Sequence, residues 1–255
     1  MKIGIVTGAS SGLGREFTKQ ISERLELDEI WAIARRKDKL EELEEISMCS
    51  IRPVPLDLLE KSSFDEIETM LKGEEPEVKI LVNAAGLGRI GLSRETSRQD
   101  NDAMIDLNCR AAVDMTVAVL PYMKKKSRVL NICSSAAFQP LTGINTYAAS
   151  KSFLLSWTKA LHIEQLTSGI HVTAVCPYWI KSTEFIPGAK KTGSNAVKHF
   201  PGASKPPSVV RWAMVDSAAN MWVSSTSPFA LFLRFFSKFI PHCIIAPIWD
   251  LMRRI

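Results

Sequence analysis

The run Ile3-Gly4-Ile5-Val6-Thr7-Gly8-Ala9-Ser10-Ser11-Gly12-Leu13-Gly14 decides how the rest of the chain is read. Ile3 to Thr7 has the length and apolar character of a buried strand. From Gly12 to Leu25 the pattern changes, with Phe17, Ile21 and Leu25 four residues apart on one helical face. Between the two lies a glycine-rich turn. Glycines there permit a tight turn, close approach of the backbone to a pyrophosphate, and close helix–strand packing. The helix that follows offers free N–H groups and the positive end of its dipole. Gly8, Ser10, Ser11, Gly12, Leu13 and Gly14 are thus candidate phosphate-binding positions, an ordinary strand-to-helix turn being the plain alternative.

The same alternation continues outward. Strands are expected at Glu29 to Ala34, Ile51 to Leu56, Val78 to Val82, Val129 to Cys133 and His171 to Val175. Helices are expected at Lys37 to Glu45, from a capping box formed by Ser63 and Glu66, at about Asp100 to Lys125, and at about Thr146 to Ser168. Apolar strands alternating with helices predict an α/β fold, a doubly wound parallel sheet covered on both faces. The stretch from Phe185 to Ser208 carries Pro187, Pro201, Pro206 and Pro207 with weak periodicity. It is expected to be a long loop at the carboxyl edge of the sheet, where ligands bind in such folds.

Composition bounds the class. With 255 residues, 46% hydrophobic and 23% charged, the chain is neither disordered nor a disulfide scaffold. No internal repeat or linker divides it, so one domain over residues 1–255 is expected. A net charge of +5 is too weak to argue for nucleic acid. The five cysteines and four histidines lack ligand spacing, so no metal site is expected, and a reduced cytoplasmic setting is the simplest reading. No apolar run approaches the ~20 residues of a membrane span.

Two further clusters carry chemistry. The expected second strand ends Ile33-Ala34-Arg35-Arg36, without the acidic residue that accepts from adenosine ribose hydroxyls in NAD sites. Arginine suits the extra phosphate of NADP(H), so Arg35 and Arg36 favour it over a merely solvated charge pair. Downstream, Tyr147-Ala148-Ala149-Ser150-Lys151 puts Tyr147 and Lys151 on one face of a helix. A nearby ammonium favours the phenolate, and the spacing predicts a tyrosine with a lowered pKa. Ser134, 13 residues before Tyr147 and just after a strand, could donate to a substrate carbonyl.

Taken together these motifs resemble the short-chain dehydrogenase/reductase family over residues 1 to about 183, loosely nearest its 3-oxoacyl and 17β-hydroxysteroid reductases. The resemblance implies a Rossmann fold and an NADP(H)-dependent ketone–alcohol oxidoreductase. It implies Tyr147 as acid and base, Lys151 on the nicotinamide ribose, Ser134 on the carbonyl, and Asn108 holding a water in the proton relay. Asn83, Ala84 and Gly86 resemble the motif that supports the sheet and lines the adenosine side. Asp57 resembles the adenine contact, and Pro177, Ile180 and Ser182 the segment over nicotinamide. Tyr178 departs from the glycine usual after Pro177, and Ser134 is preferred over the adjacent Ser135 on spacing. A homodimer or homotetramer is also implied.

The C-terminal tail, residues 228–255, holds five of the eleven phenylalanines. Phe229, Phe232, Leu233, Phe236 and Ile240 recur at helical spacing, with Arg234 and Lys238 on the other side. Such a helix packs on the core, covers a substrate pocket or a partner subunit, or contacts a membrane surface. The apolar tail suggests a bulky apolar substrate such as a steroid, bile acid or acyl chain. A small polar carbonyl, or a non-catalytic cofactor-binding or membrane-surface scaffold, are the alternatives.

Overall fold

The computed structural model describes residues 1–194, 196–197 and 202–253. Arg254 and Ile255 of the expected tail and Pro201 of the expected loop lie outside them.

The strands are β1 (Lys2–Thr7), β2 (Glu29–Ala34), β3 (Ser50–Pro55), β4 (Glu77–Asn83), β5 (Met123–Ile132), β6 (His171–Val175) and β7 (Val223–Ser224). They form one parallel sheet in the order β3-β2-β1-β4-β5-β6-β7. Side chains alternate along each strand, so Ile3, Ile5, Trp31 and Leu81 feed one core while Val6, Ile30, Ala32 and Val82 feed another. Both faces of the central strands are therefore apolar, which explains their unbroken hydrophobic runs. The helices are α1 (Gly12–Arg24), α2 (Lys37–Glu41), α3 (Ser62–Glu74), α4 (Arg98–Ile105), α5 (Ala111–Val119), α6 (Asn145–Glu164), α7 (Phe185–Ala189), α8 (Pro206–Ala218), α9 (Pro228–Phe236) and α10 (His242–Met252). Among the described residues no helix is long and apolar enough to cross a membrane. No cluster of three potential metal ligands occurs there either.

β1 pairs with β2 on one side and β4 on the other, so the connections reverse direction at its carboxyl end. A crevice opens at such a point in doubly wound sheets. Thr7 ties its two walls together, because its hydroxyl accepts from the Ala84 and Ala85 N–H groups, each at 3.1 Å.

Several local expectations are corrected. The single helix expected over residues 100–125 is α4, one π-turn (Asp106–Arg110) and α5. A 3₁₀ turn at Leu120–Tyr122 ends it, because Pro121 cannot continue the hydrogen-bond ladder. Lys124 to Lys126 then belong to β5, in a bulge where Lys126 takes a left-handed φ of 69°. Ser63 does not cap α3; it lies inside the helix and donates to Asp57 O at 2.7 Å. The proline pair at 206–207, expected to close a loop, instead opens α8, where the missing N–H costs nothing.

Candidate active site

At the end of β1 the backbone turns through Gly8, whose φ of 67° is left-handed. A Cβ on Gly8 would lie 2.8 Å from the Ala85 backbone, and one on Gly14 would lie 2.2 Å from Gly8 O. Only glycine permits this closeness of helix and strand. Ser11, the residue before α1, makes no side-chain cap, so the first-turn N–H groups of α1 remain available to a ligand.

At the end of β2, Arg35 is 72% exposed with its guanidinium 3.7 Å from the Asp57 carboxylate. Arg36 turns the other way. Its two terminal nitrogens donate to the two Glu184 carboxylate oxygens at 3.1 and 2.9 Å, and one also reaches Ser10 Oγ at 3.2 Å. That pairing raises Arg36 above, and holds Glu184 below, their ordinary pKa values.

The candidate proton-transfer groups follow β5 or stand on α6. Ser134 follows β5 in extended backbone, and its Oγ accepts from Ala136 N at 3.1 Å. Tyr147 and Lys151 stand on α6 with Lys151 Nζ 5.9 Å from the tyrosine ring centroid. The buried ammonium donates to Ile132 O at 2.7 Å. The Phe185 ring packs 5.5 Å from the Tyr147 ring on the cavity side.

These elements border one cavity of about 1000 Å³. It runs from the Gly8–Gly14 loop, past Ser134, Tyr147 and Lys151, to a mouth formed by Phe229, Phe232 and Phe236 of α9 and by Ile248 and Trp249 of α10. Tyr178 joins the two parts, its ring edge-on to Phe229 at 4.5 Å. α10 is held by a polar clasp: Trp249 Nε1 donates to Thr142 O at 2.9 Å, and Asp250 accepts from Thr142 Oγ1 at 2.7 Å. Arg253 bonds Thr142 Oγ1, Asp250 and Ala196 O.

A family profile described as short chain dehydrogenase matches residues 2–192. The chain belongs to the short-chain dehydrogenase/reductase family. It is 32% identical over 187 residues to the NADP-dependent 3-hydroxy acid dehydrogenase YdfG of Escherichia coli strain K12, covering 72% of this chain and 74% of that protein. Among solved structures it resembles a short-chain dehydrogenase from Sphingobium yanoikuyae in complex with NADPH, with 25% identity, TM-score 0.79, and 93% and 92% of the two chains covered. It also resembles the closed form of serine dehydrogenase complexed with NADP+, with 29% identity, TM-score 0.72, and 88% and 93% covered.

Within this short-chain dehydrogenase most expected site residues line the cavity: Gly8, Ser10 to Gly14, Arg35, Arg36, Asp57, Ala84, Gly86, Ser134, Tyr147, Lys151, Pro177 and Ile180. Three do not. Asn83 is buried in the sheet, where Nδ2 donates to Asn131 Oδ1 at 2.8 Å and Thr116 Oγ1 at 2.9 Å. It buttresses β4 and β5 rather than facing a ligand. Ser182 adopts a left-handed φ of 61° and turns away; the next residue, Thr183, lines the cavity with a buried hydroxyl that has no protein partner. Asn108 sits in the π-turn with its amide fully engaged. It donates to Leu87 O at 2.8 Å and Ser150 Oγ at 3.0 Å, and accepts from Leu87 N at 2.8 Å. Its side chain clamps the segment after β4.

The expected lowering of the tyrosine pKa is also reversed. Loss of solvent around the half-buried side chain pushes the Tyr147 hydroxyl up to about 12, opposed by a hydrogen bond with Ser134. Burial pushes Lys151 down. The ammonium is directed at Ile132 O instead of the phenol, so its field does not offset the desolvation. Residues that the sequence reading passed over are Glu184, Phe185 and the Thr142–Asp250–Arg253 clasp. Each acts through a partner distant in the chain, so no local pattern marks it.

Proposed function

We propose that the protein is an NADP(H)-dependent oxidoreductase interconverting a ketone and a secondary alcohol, with a bulky apolar substrate. One observation carries this reading: Ser134, Tyr147 and Lys151 sit midway along a cavity with a glycine cradle and arginines at one end and phenylalanines at the other.

The residues present fit the dinucleotide. The first turn of α1 has no side-chain cap from Ser11, Arg35 and Arg36 supply cationic forks, and the Thr183 hydroxyl is buried without a protein partner. The Gly8–Gly14 loop would hold the pyrophosphate, Asp57 and Ala84 the adenosine, and Lys151, Pro177, Ile180 and Thr183 the nicotinamide side. When bound, the nicotinamide supplies or accepts the hydride. Tyr147, protonated at neutral pH, donates to the substrate oxygen in reduction and takes the proton back in oxidation. Ser134 donates to the same oxygen and orients it. Lys151, whose ammonium lies 5.9 Å from the Tyr147 ring centroid, favours the phenolate once turned toward it. Asn108 is a positioning residue that fixes the segment from Gly86 to Leu87.

The phenylalanine-lined mouth supports a steroid-like or acyl substrate, the tail covering the pocket. The apolar Phe153 and Ile163 exposed on α6, and Trp212 and Val215 on α8, support a dimer or tetramer built on these helices. Leu231, Phe235 and Phe239 turn outward at 56%, 57% and 68% exposure, and favour peripheral membrane contact as a second role of the tail. Mixing the protein and NADPH with steroid, bile-acid, acyl and small polar ketones tests the reading. Loss of nicotinamide absorbance is expected with the bulky apolar ketones. Turnover confined to the small polar ones would contradict the assigned substrate class, and no turnover with any ketone would contradict the chemistry.

A further inference from the structure

Arg36 and Glu184 lie 148 positions apart in the chain and meet at the edge of the glycine loop. Their contact is a bidentate fork, 3.1 and 2.9 Å, the geometry in which a guanidinium also takes two phosphate oxygens. The same loop adds a hydroxyl: Ser10 Oγ accepts from the guanidinium at 3.2 Å. A carboxylate thus occupies a guanidinium fork beside a serine hydroxyl, a setting that an anion with more oxygens would fill better. Arg36 and Glu184 are 42% and 65% exposed, so the pair is screened and open to displacement. Arg35 is placed differently, facing Asp57 at the longer separation of 3.7 Å.

We propose that Glu184 is a specificity-determining residue, holding Arg36 in the position that the ribose phosphate of NADP(H) takes and so weakening binding of the phosphorylated dinucleotide. The inference rests on the NADP(H) reading above. The cofactor phosphate must displace the carboxylate from the fork and then lie near its negative charge. NADH carries a neutral hydroxyl at that position and meets neither cost. Glu184 therefore narrows the preference that the two arginines create. Because it opens the segment leading to Phe185, it also links the phosphate site to the substrate loop.

Equilibrium titrations of NADPH and NADH by calorimetry, at low and high salt, test this on four proteins: the natural chain, Glu184→Gln, Arg36→Ala and the double variant. The natural chain is expected to bind NADPH more tightly than NADH. Glu184→Gln is expected to tighten NADPH about two- to fivefold, the scale of an exposed charge interaction, with NADH unchanged. The gain should shrink with salt and vanish when Arg36 is also removed. An unchanged or weaker NADPH affinity in Glu184→Gln, an equal gain for both dinucleotides, or a gain that survives Arg36→Ala overturns the inference while leaving the cofactor reading intact. A natural chain with no preference for NADPH overturns that reading and the inference with it. The exposure of Glu184 makes folding of the variant straightforward to verify by thermal unfolding.

Discussion

As the proposed acid and base, Tyr147 meets two opposing demands: its hydroxyl must leave water to reach a substrate, yet must exchange a proton there. In the protein alone desolvation prevails, and the hydroxyl rises to about 12. The consequence for stability has a definite sign. A folded-state value above the ordinary 10 contributes fully below pH 10 and is lost as pH rises through about 12. The natural chain should therefore lose thermal stability across that window more steeply than Tyr147→Phe. The difference in phenolate absorbance between the two should appear near pH 12; a step at pH 10 would contradict the buried, unassisted hydroxyl. Tyr147 and Lys151 were legible from spacing, because a helix places positions four apart together, and Ser134 from its place just after a strand, 13 residues before Tyr147. The state of their protons was not, since it depends on where Lys151 points, and Ile132 O lies on another element.

At the scale of elements, the turn from β1 into α1 carries the strictest local requirement. A methyl at Gly14 would sit 2.2 Å from Gly8 O, and backbone cannot yield cheaply. Gly14→Ala is expected to cost about 1–3 kcal/mol in urea unfolding, as overpacking does, and to weaken dinucleotide binding. Unchanged stability would show that α1 is not packed as described. The order of strands and helices was readable from hydrophobic period as far as β6, because the central strands are buried on both faces. α8 and β7 were not. α8 begins on two prolines that read as a loop, and β7 is a two-residue strand held by Val223 and Ser224 against β6. The tail was legible in its apolar spacing, since Phe229, Phe232, Leu233, Phe236 and Ile240 all line the cavity. Its attachment was not, because the Thr142 clasp joins residues more than 100 positions apart.

Across the whole molecule, the reversal of connections at β1 opens the crevice, and the C-terminal helices extend it into one cavity. Charge follows the same division. Arg35, Arg36 and Asp57 border the glycine loop and Lys151 the middle, while the α9 and α10 residues of the mouth are almost wholly apolar. A ligand bridging both regions would place its reacting carbon beside Ser134 and Tyr147. The central claim is that this midpoint is a proton-transfer site. Its most direct test is NADPH consumption by Tyr147→Phe with a ketone that the natural chain reduces, alongside NADPH affinity measured by calorimetry. Turnover should fall about 10²- to 10⁴-fold while NADPH affinity stays within about twofold, the signature of a lost general acid. Near-normal turnover in Tyr147→Phe would contradict the account.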